Sequence, residues 1–107
     1  MSVQLKKGVL DLCVLSILAK QDTYGYDIYQ SINNILGISE STIYPILRKM
    51  VSESLLETRL RESPDGPARK YFTMTPLGKR RYVALKEAWQ AFVSRVDGLI
   101  EEEEATS

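Results

Sequence analysis

Apolar residues return at helical spacing in four stretches of the chain, and between the third and the fourth the period shortens to that of a strand. In the first stretch Leu10, Val14, Ile17 and Leu18 stand at i, i+4, i+7 and i+8, which predicts a helix over residues 5–20 with a wide apolar face. Thr23 is placed to cap a second helix built on YGYDIYQSINNI, and Gly37 to end it in the left-handed conformation. Ile43, Ile46, Leu47 and Met50 mark a third helix, capped by Ser39 or Ser41 and running to about Ser54. Next, ETRLRE and ARKYFTM flank the turn cluster SPDGP and read as a β-hairpin with an exposed tip. Thr75 and Pro76 supply a cap and a first helical residue for a fourth helix, expected from 76 to about 101.

Two departures from simple periodicity stand out. Pro45 lies inside the third apolar pattern, where a proline removes a backbone hydrogen bond and collides with the preceding turn at a cost of roughly 3 kcal/mol. With Ser41 as the cap only the first intrahelical bond is lost, whereas with Ser39 the first turn must distort; sequence leaves both open. In the fourth helix Tyr82, Leu85, Trp89, Phe92, Val96 and Leu99 follow at alternating steps of 3 and 4. Such a heptad seam asks for a long helical partner. The chain's own first helix is one such surface, but it offers little length against a 25-residue helix, so a homodimer is expected through these six residues.

Composition narrows the function. The 107 residues, 44% hydrophobic and 26% charged, suit a single folded domain. The most apolar run, VLDLCVLSILA, is broken by Asp11 and falls short of the ~20 residues of a membrane span. No cleavable leader pattern precedes it, so a cytoplasmic protein without membrane contact is expected. Cys13 is the only cysteine, which excludes an internal disulfide and fits a core position. There is no histidine, so Ser-His and Cys-His nucleophile pairs are excluded and a zinc site would depend on one thiol and scattered carboxylates. The glycines are dispersed, with no phosphate-cradling loop. Neither enzyme activity nor a cofactor or metal is expected. A net charge of zero conceals a split: residues 1–86 hold 13 Lys and Arg against 8 Asp and Glu, while residues 87–107 hold Arg95 against six acids, four of them the run Glu101 to Glu104. A basic body suits a polyanion, and the acidic run reads as a solvated end.

Helix, helix, turn, helix and hairpin is the order of a winged helix-turn-helix, so the fold class expected is mainly α with a small β-hairpin and a long last helix. Residues 1–75 would form a DNA-binding unit and 76–107 a dimerisation helix with an acidic tail. Ser39, Ser41, Thr42, Tyr44 and Pro45 gather at the start of the third helix, where hydroxyls and free amides can meet phosphates and base edges. Arg48 and Lys49 follow one turn on, and Arg59, Arg61, Arg69, Lys70 and Tyr71 sit on the hairpin. Double-stranded DNA is the partner this pattern fits; a winged-helix module that docks on a protein is the alternative.

YGYDIYQSI, STIYPILRKM and GPARKYFTMTPLG, in this order and spacing, resemble the motifs of the PadR family of bacterial transcriptional regulators. The likeness covers residues 5 to about 100. It implies a winged-helix domain followed by one dimerisation helix, as in the short PadR-like subfamily. The family's Tyr-Pro is present as Tyr44-Pro45, and its strand motif as Gly66-Pro67-Ala68-Arg69-Lys70-Tyr71-Phe72. It further implies a repressor released by a small aromatic effector, such as a phenolic acid or a planar drug. Drug-sensing relatives stack such compounds on a tryptophan of the last helix, which corresponds here to Trp89 or, in a shifted match, to the position of Val93.

Overall fold

The computed structural model describes residues 3–106, with side chains described for residues 8–102. Four helices and three strands follow in the order α1 (Val3–Lys20), β1 (Thr23–Tyr24), α2 (Gly25–Leu36), α3 (Glu40–Ser52), β2 (Leu56–Ser63), β3 (Gly66–Met74) and α4 (Pro76–Thr106). Leu10, Val14, Leu15 and Leu18 of α1, Ile28 and Ile32 of α2, and Ile43, Ile46, Leu47 and Met50 of α3 bury their side chains together. Leu55, Leu56 and Phe72 close this core from the strand side. The apolar spacing read from the chain is thus what the three-helix core uses, and no polar side chain among the described residues is buried in it. Cys13 is half-buried against the core, and desolvation holds its thiol above its ordinary pKa.

Helix ends follow local chemistry, with two departures from expectation. Gly37 ends α2 at φ 66°, donating its amide to the Asn33 carbonyl at 2.8 Å. Thr23, expected as the cap of α2, instead lies in β1, and its hydroxyl donates to the Gln21 carbonyl at 2.9 Å. Tyr24 occupies the cap position in extended conformation without a side-chain bond. The residues expected as a cap are therefore a third strand, and the sheet order is β1-β3-β2, antiparallel throughout. At the end of α3 the Leu55 amide reaches the Met50 carbonyl and the Ser54 amide the Val51 carbonyl. This Schellman arrangement normally takes glycine at its left-handed position, yet Ser54 holds it at φ 63°. Burial of both Met50 and Leu55 supplies the hydrophobic contact that accompanies the motif.

Thr75 joins the winged unit to the last helix. Its hydroxyl accepts the Gly78 amide at 2.9 Å, the cap expected from the sequence, and shares its proton between the carbonyls of Ser54 and Leu55. Its own amide also donates to Leu55, so the start of α4 is tied to the segment just beyond α3. Gly78 permits this approach, because a Cβ there would run into the Leu55 carbonyl oxygen and the Met74 side chain. Beyond the joint α4 projects, giving the chain extents of 61 × 27 × 23 Å. Its backbone stays helical five residues past the expected end, through the Glu101–Glu104 run.

Gly78→Ala is expected to lower the unfolding free energy by about 1 to 3 kcal/mol, since the methyl meets backbone that cannot rotate away. The shift of the urea midpoint at unchanged slope measures this directly.

Candidate nucleic-acid interface

Ser39 is the cap residue of α3, in extended conformation, and its carbonyl accepts from both the Thr42 amide at 3.1 Å and the Ile43 amide at 3.3 Å. Its side chain makes no capping bond; the Ser39 hydroxyl lies 2.9 Å from that of Ser41 and 3.3 Å from that of Thr42. Of the two caps left open by the sequence, Ser39 holds the position by backbone rather than by hydroxyl. Pro45 consequently falls one and a half turns into the helix, and the Ser41 carbonyl has no amide from residue 45 to accept. Both residues are exposed, so water can take the orphaned carbonyl. Ser41, Pro45, Arg48 and Ser52 stand at i, i+4, i+7 and i+11 and form the outward ridge of α3, opposite Ile43 and Met50. Tyr44 lies on one flank of that ridge; Thr42 and Lys49 lie on the other.

Tyr44 is the half-buried member of the group. Its ring edge lies against the start of α2, where a Cβ on Gly25 would sit 3.4 Å from Tyr44 Cε1 and 3.2 Å from Phe72 Cε2. Burial, followed by the charges of Glu40, Tyr26 and Tyr29, raises its phenol above the ordinary value near 10, so it remains a hydrogen-bond donor at neutral pH. Tyr44 and Arg48 share an open groove of about 560 Å³ with Tyr24, Tyr26, Arg69 and Lys70. This groove is where the front of α3 meets the hairpin. Lys49 lies away from it and pairs with Glu53 at 3.8 Å, an exposed i,i+4 contact worth a few tenths of a kcal/mol.

The hairpin presents its cations without acidic partners: among the described residues Arg59, Arg61, Arg69 and Lys70 form no ion pair, and all four are exposed. Strand alternation sends Phe72 into the core, while Tyr71 is half-buried on the opposite face. There it packs on Tyr24 of β1, ring centroids 5.3 Å apart, and carries the Arg61 guanidinium 4.6 Å above its ring. Arg69 lies 5.6 Å over the Tyr24 ring. Tyr24 thus belongs to this surface, and the sequence alone did not single it out. Its only signal was the aromatic next to a turn, and that turn was read as a helix cap.

Along α4 the six seam residues part company. Tyr82 and Leu85 are half-buried and pack against their own chain's core, whereas Trp89, Phe92, Val96 and Leu99 are exposed, from 38% at Trp89 to 68% at Leu99. Trp89 and Phe92, with ring centroids 6.3 Å apart, line an apolar groove of about 280 Å³ against Val9 and Leu12 of α1. Val93, the shifted effector position, is half-buried and does not line that groove. No cluster of three or more potential metal ligands occurs among the described residues, and no described helix is long and apolar enough to cross a membrane.

Residues 14–84 match the Transcriptional regulator PadR-like family. The chain belongs to that family. A PadR-like transcriptional regulator from Bacillus cereus shares 35% of its residues over 91% of this chain and 96% of its own, with a TM-score of 0.82. A Streptococcus mutans crystal structure shares 38% over 88% of each chain, with a TM-score of 0.83. Bacillus subtilis PadR in complex with operator DNA shares 30% over 71% of this chain and 45% of the other, with a TM-score of 0.64. PadR-like proteins are transcriptional regulators rather than enzymes, and the mainly helical fold with its small antiparallel sheet is the one these relatives share.

For this PadR-like chain the raised Tyr44 phenol fixes an expectation about alkaline stability. A group whose folded pKa lies above its unfolded value contributes fully below the unfolded value, near 10, and its contribution falls as pH rises through the folded value. Urea midpoints measured from neutral pH upward are expected to start falling near pH 9, where the raised Cys13 thiol begins to lose its contribution, and to fall further above about pH 10, where Tyr44→Phe falls less steeply than the wild type. Identical alkaline slopes for the two proteins would contradict the burial of Tyr44.

Proposed function

We propose that this PadR-like regulator acts as a homodimeric repressor on an inverted-repeat DNA operator. Residues 1–75 supply the DNA-binding unit and residues 76–107 the dimerisation helix. One observation carries the reading: the groove joining Tyr44 and Arg48 of α3 to Arg69 and Lys70 of β3 gathers phenols and, among the described residues, three cations without an ion pair on one open surface, with Asp27 as the acid that lines it. Polar groups at the helix front suit base edges and the phosphates that frame them, and long unpaired cations suit phosphate alone. Ser39, Ser41, Thr42, Tyr44, Pro45, Arg48 and Lys49 make up the helix contribution; Arg69, Lys70 and Tyr71 make up that of the wing. Bacillus subtilis PadR, which has been seen with operator DNA, supports this by likeness.

The dimer rests on the exposed half of the α4 seam. Trp89, Phe92, Val96 and Leu99 face solvent in the single chain at a spacing that matches a helical partner. Two-fold symmetry then calls for half-sites about one helical turn, ~34 Å, apart. A dimer seated across a promoter obstructs transcription by occupancy, so repression requires no further domain. The groove at Trp89 is small for a drug-sized molecule in one chain, and pairing two such grooves encloses a larger apolar site suited to a planar aromatic effector.

Phe92→Asp with Val96→Asp is expected to yield monomer or unfolded protein by light scattering; an unchanged dimer would remove the α4 interface. In a salt titration of operator and random duplexes, Thr42→Ala is expected to narrow the gap between them by about 1 to 3 kcal/mol, whereas Lys70→Ala weakens both alike. Equal binding of both duplexes by the wild type, or none at any salt, would favour docking on a protein instead. Trp89 is the only tryptophan, so its fluorescence reports the effector: a planar aromatic compound that lowers operator affinity should quench it.

A further inference from the structure

Arg61 and Arg69 are direct partners across the β2–β3 ladder, and like charges placed so repel. Among the described residues neither forms an ion pair with an acid. What both have is an aromatic face. Arg61 leans from β2 over Tyr71 of β3, Arg69 leans from β3 over Tyr24 of β1, and the two rings are themselves packed at 5.3 Å and 39°. Each guanidinium is therefore carried one strand in the same direction and set above one of two adjacent rings. Tyr24 and Tyr71 are half-buried and face each other across the β1–β3 ladder, so their rings are anchored where the arginines, being exposed, are not.

A cation over a ring keeps its in-plane N–H donors free at the edge, because the ring takes the flat face of the guanidinium. Two such forks side by side suit a tetrahedral oxyanion between them, and repulsion between the arginines becomes attraction once that anion is in place. We propose that Tyr24 and Tyr71 form an aromatic platform that aims Arg61 and Arg69 at one shared phosphate of the DNA backbone. The inference rests on the DNA-binding reading above and adds to it a site with a stated ligand. Arg61 and Arg69 are the phosphate ligands; Tyr24 and Tyr71 are positioning residues that act through them. Lys70, on the other face of β3, contacts a different phosphate. The source is a duplex rather than free anion, since both arginines are exposed and the groove that Arg69 lines is wide and open to solvent.

Salt titrations of operator and random duplexes with the full chain test the site. Each protomer of the dimer proposed above carries one copy of the site, so losing both arginines from one shared phosphate per protomer should make the slope of log affinity against log salt shallower by about two for the dimer, while two separate phosphates per protomer would cost about four. Arg61→Ala alone should leave the slope nearly unchanged, because Arg69 still holds the phosphate. Tyr71→Leu should weaken both duplexes by roughly two- to fivefold, the size of one exposed cation–π contact, at unchanged slope, and Tyr71→Phe should bind like the wild type. A residue with only a structural role would lower the denaturation midpoint without this ring dependence. Should Tyr71→Leu fail to fold, the Arg61→Ala/Arg69→Ala slope still decides, both residues being exposed. The site is overturned by a double-mutant slope change near zero or about four, or by a folded Tyr71→Leu that binds like the wild type. Wild-type protein that binds neither duplex overturns the DNA-binding reading and the site together. Inorganic phosphate added at constant ionic strength should not compete; millimolar competition that disappears in Arg61→Ala/Arg69→Ala would assign the site to free anions and overturn its DNA role.

Discussion

One threonine sets the geometry on which the interface depends. Thr75 takes the Gly78 amide, gives its proton to the carbonyls that follow α3, and hangs its own amide on Leu55. The end of α3, the end of β3 and the start of α4 are thereby bound at one point. The direction in which α4 leaves the winged unit is set there and by the packing of Tyr82 and Leu85 on the core. Since the exposed seam from Trp89 to Leu99 lies beyond that point, its orientation relative to the α3 ridge is inherited from this joint. An N-cap contributes about 1 kcal/mol to a helix, but here the same hydroxyl also fixes a relation between two elements, and Gly78 is required because the contact is too close for a side chain.

Signals confined to a few neighbouring residues were legible in the sequence. Thr75-Pro76, Gly37 and the SPDGP turn each acted as read, because a cap or a tight turn is made by the residues that name it. Thr23 misled for the same reason. Its hydroxyl does bond locally, to Gln21, but the backbone after it is pulled into register with Phe72 and Tyr71, nearly fifty residues away. A two-residue strand has no periodicity to detect, so only the partner strand reveals it. With β1 went Tyr24, and with Tyr24 half of the platform under the arginines. The basic character of the hairpin was plain in the chain; the organisation of its cations was not.

The α4 seam shows a different limit. Heptad spacing identifies a stripe that wants burial but not the surface that buries it, and here the stripe divides. Tyr82 and Leu85 find their partner in their own chain's core, where α4 still runs beside α1, while the residues from Trp89 onward outrun it. A single 3-4 pattern therefore serves two ends with no change in period.

Pro45 is best understood by where its cost falls. At this depth in α3 a proline forfeits the amide that would have reached Ser41, and in a buried helix the stranded carbonyl would be expensive. Here ring and carbonyl lie on the outward ridge, so solvent satisfies the carbonyl while Ile43, Ile46, Leu47 and Met50 keep the opposite side packed. The remaining penalty is steric and confined to the first turn, which already departs from regular α geometry through the doubly accepting Ser39 carbonyl. Ser41 consequently offers its carbonyl as an acceptor beside the hydroxyls of Ser39, Ser41 and Thr42, which both donate and accept. A ridge that carries both kinds of group can meet base edges, which present donors and acceptors together, in a way that a purely cationic helix cannot. That division matches the rest of the surface, where the wing holds charge and the front of α3 holds directional polarity.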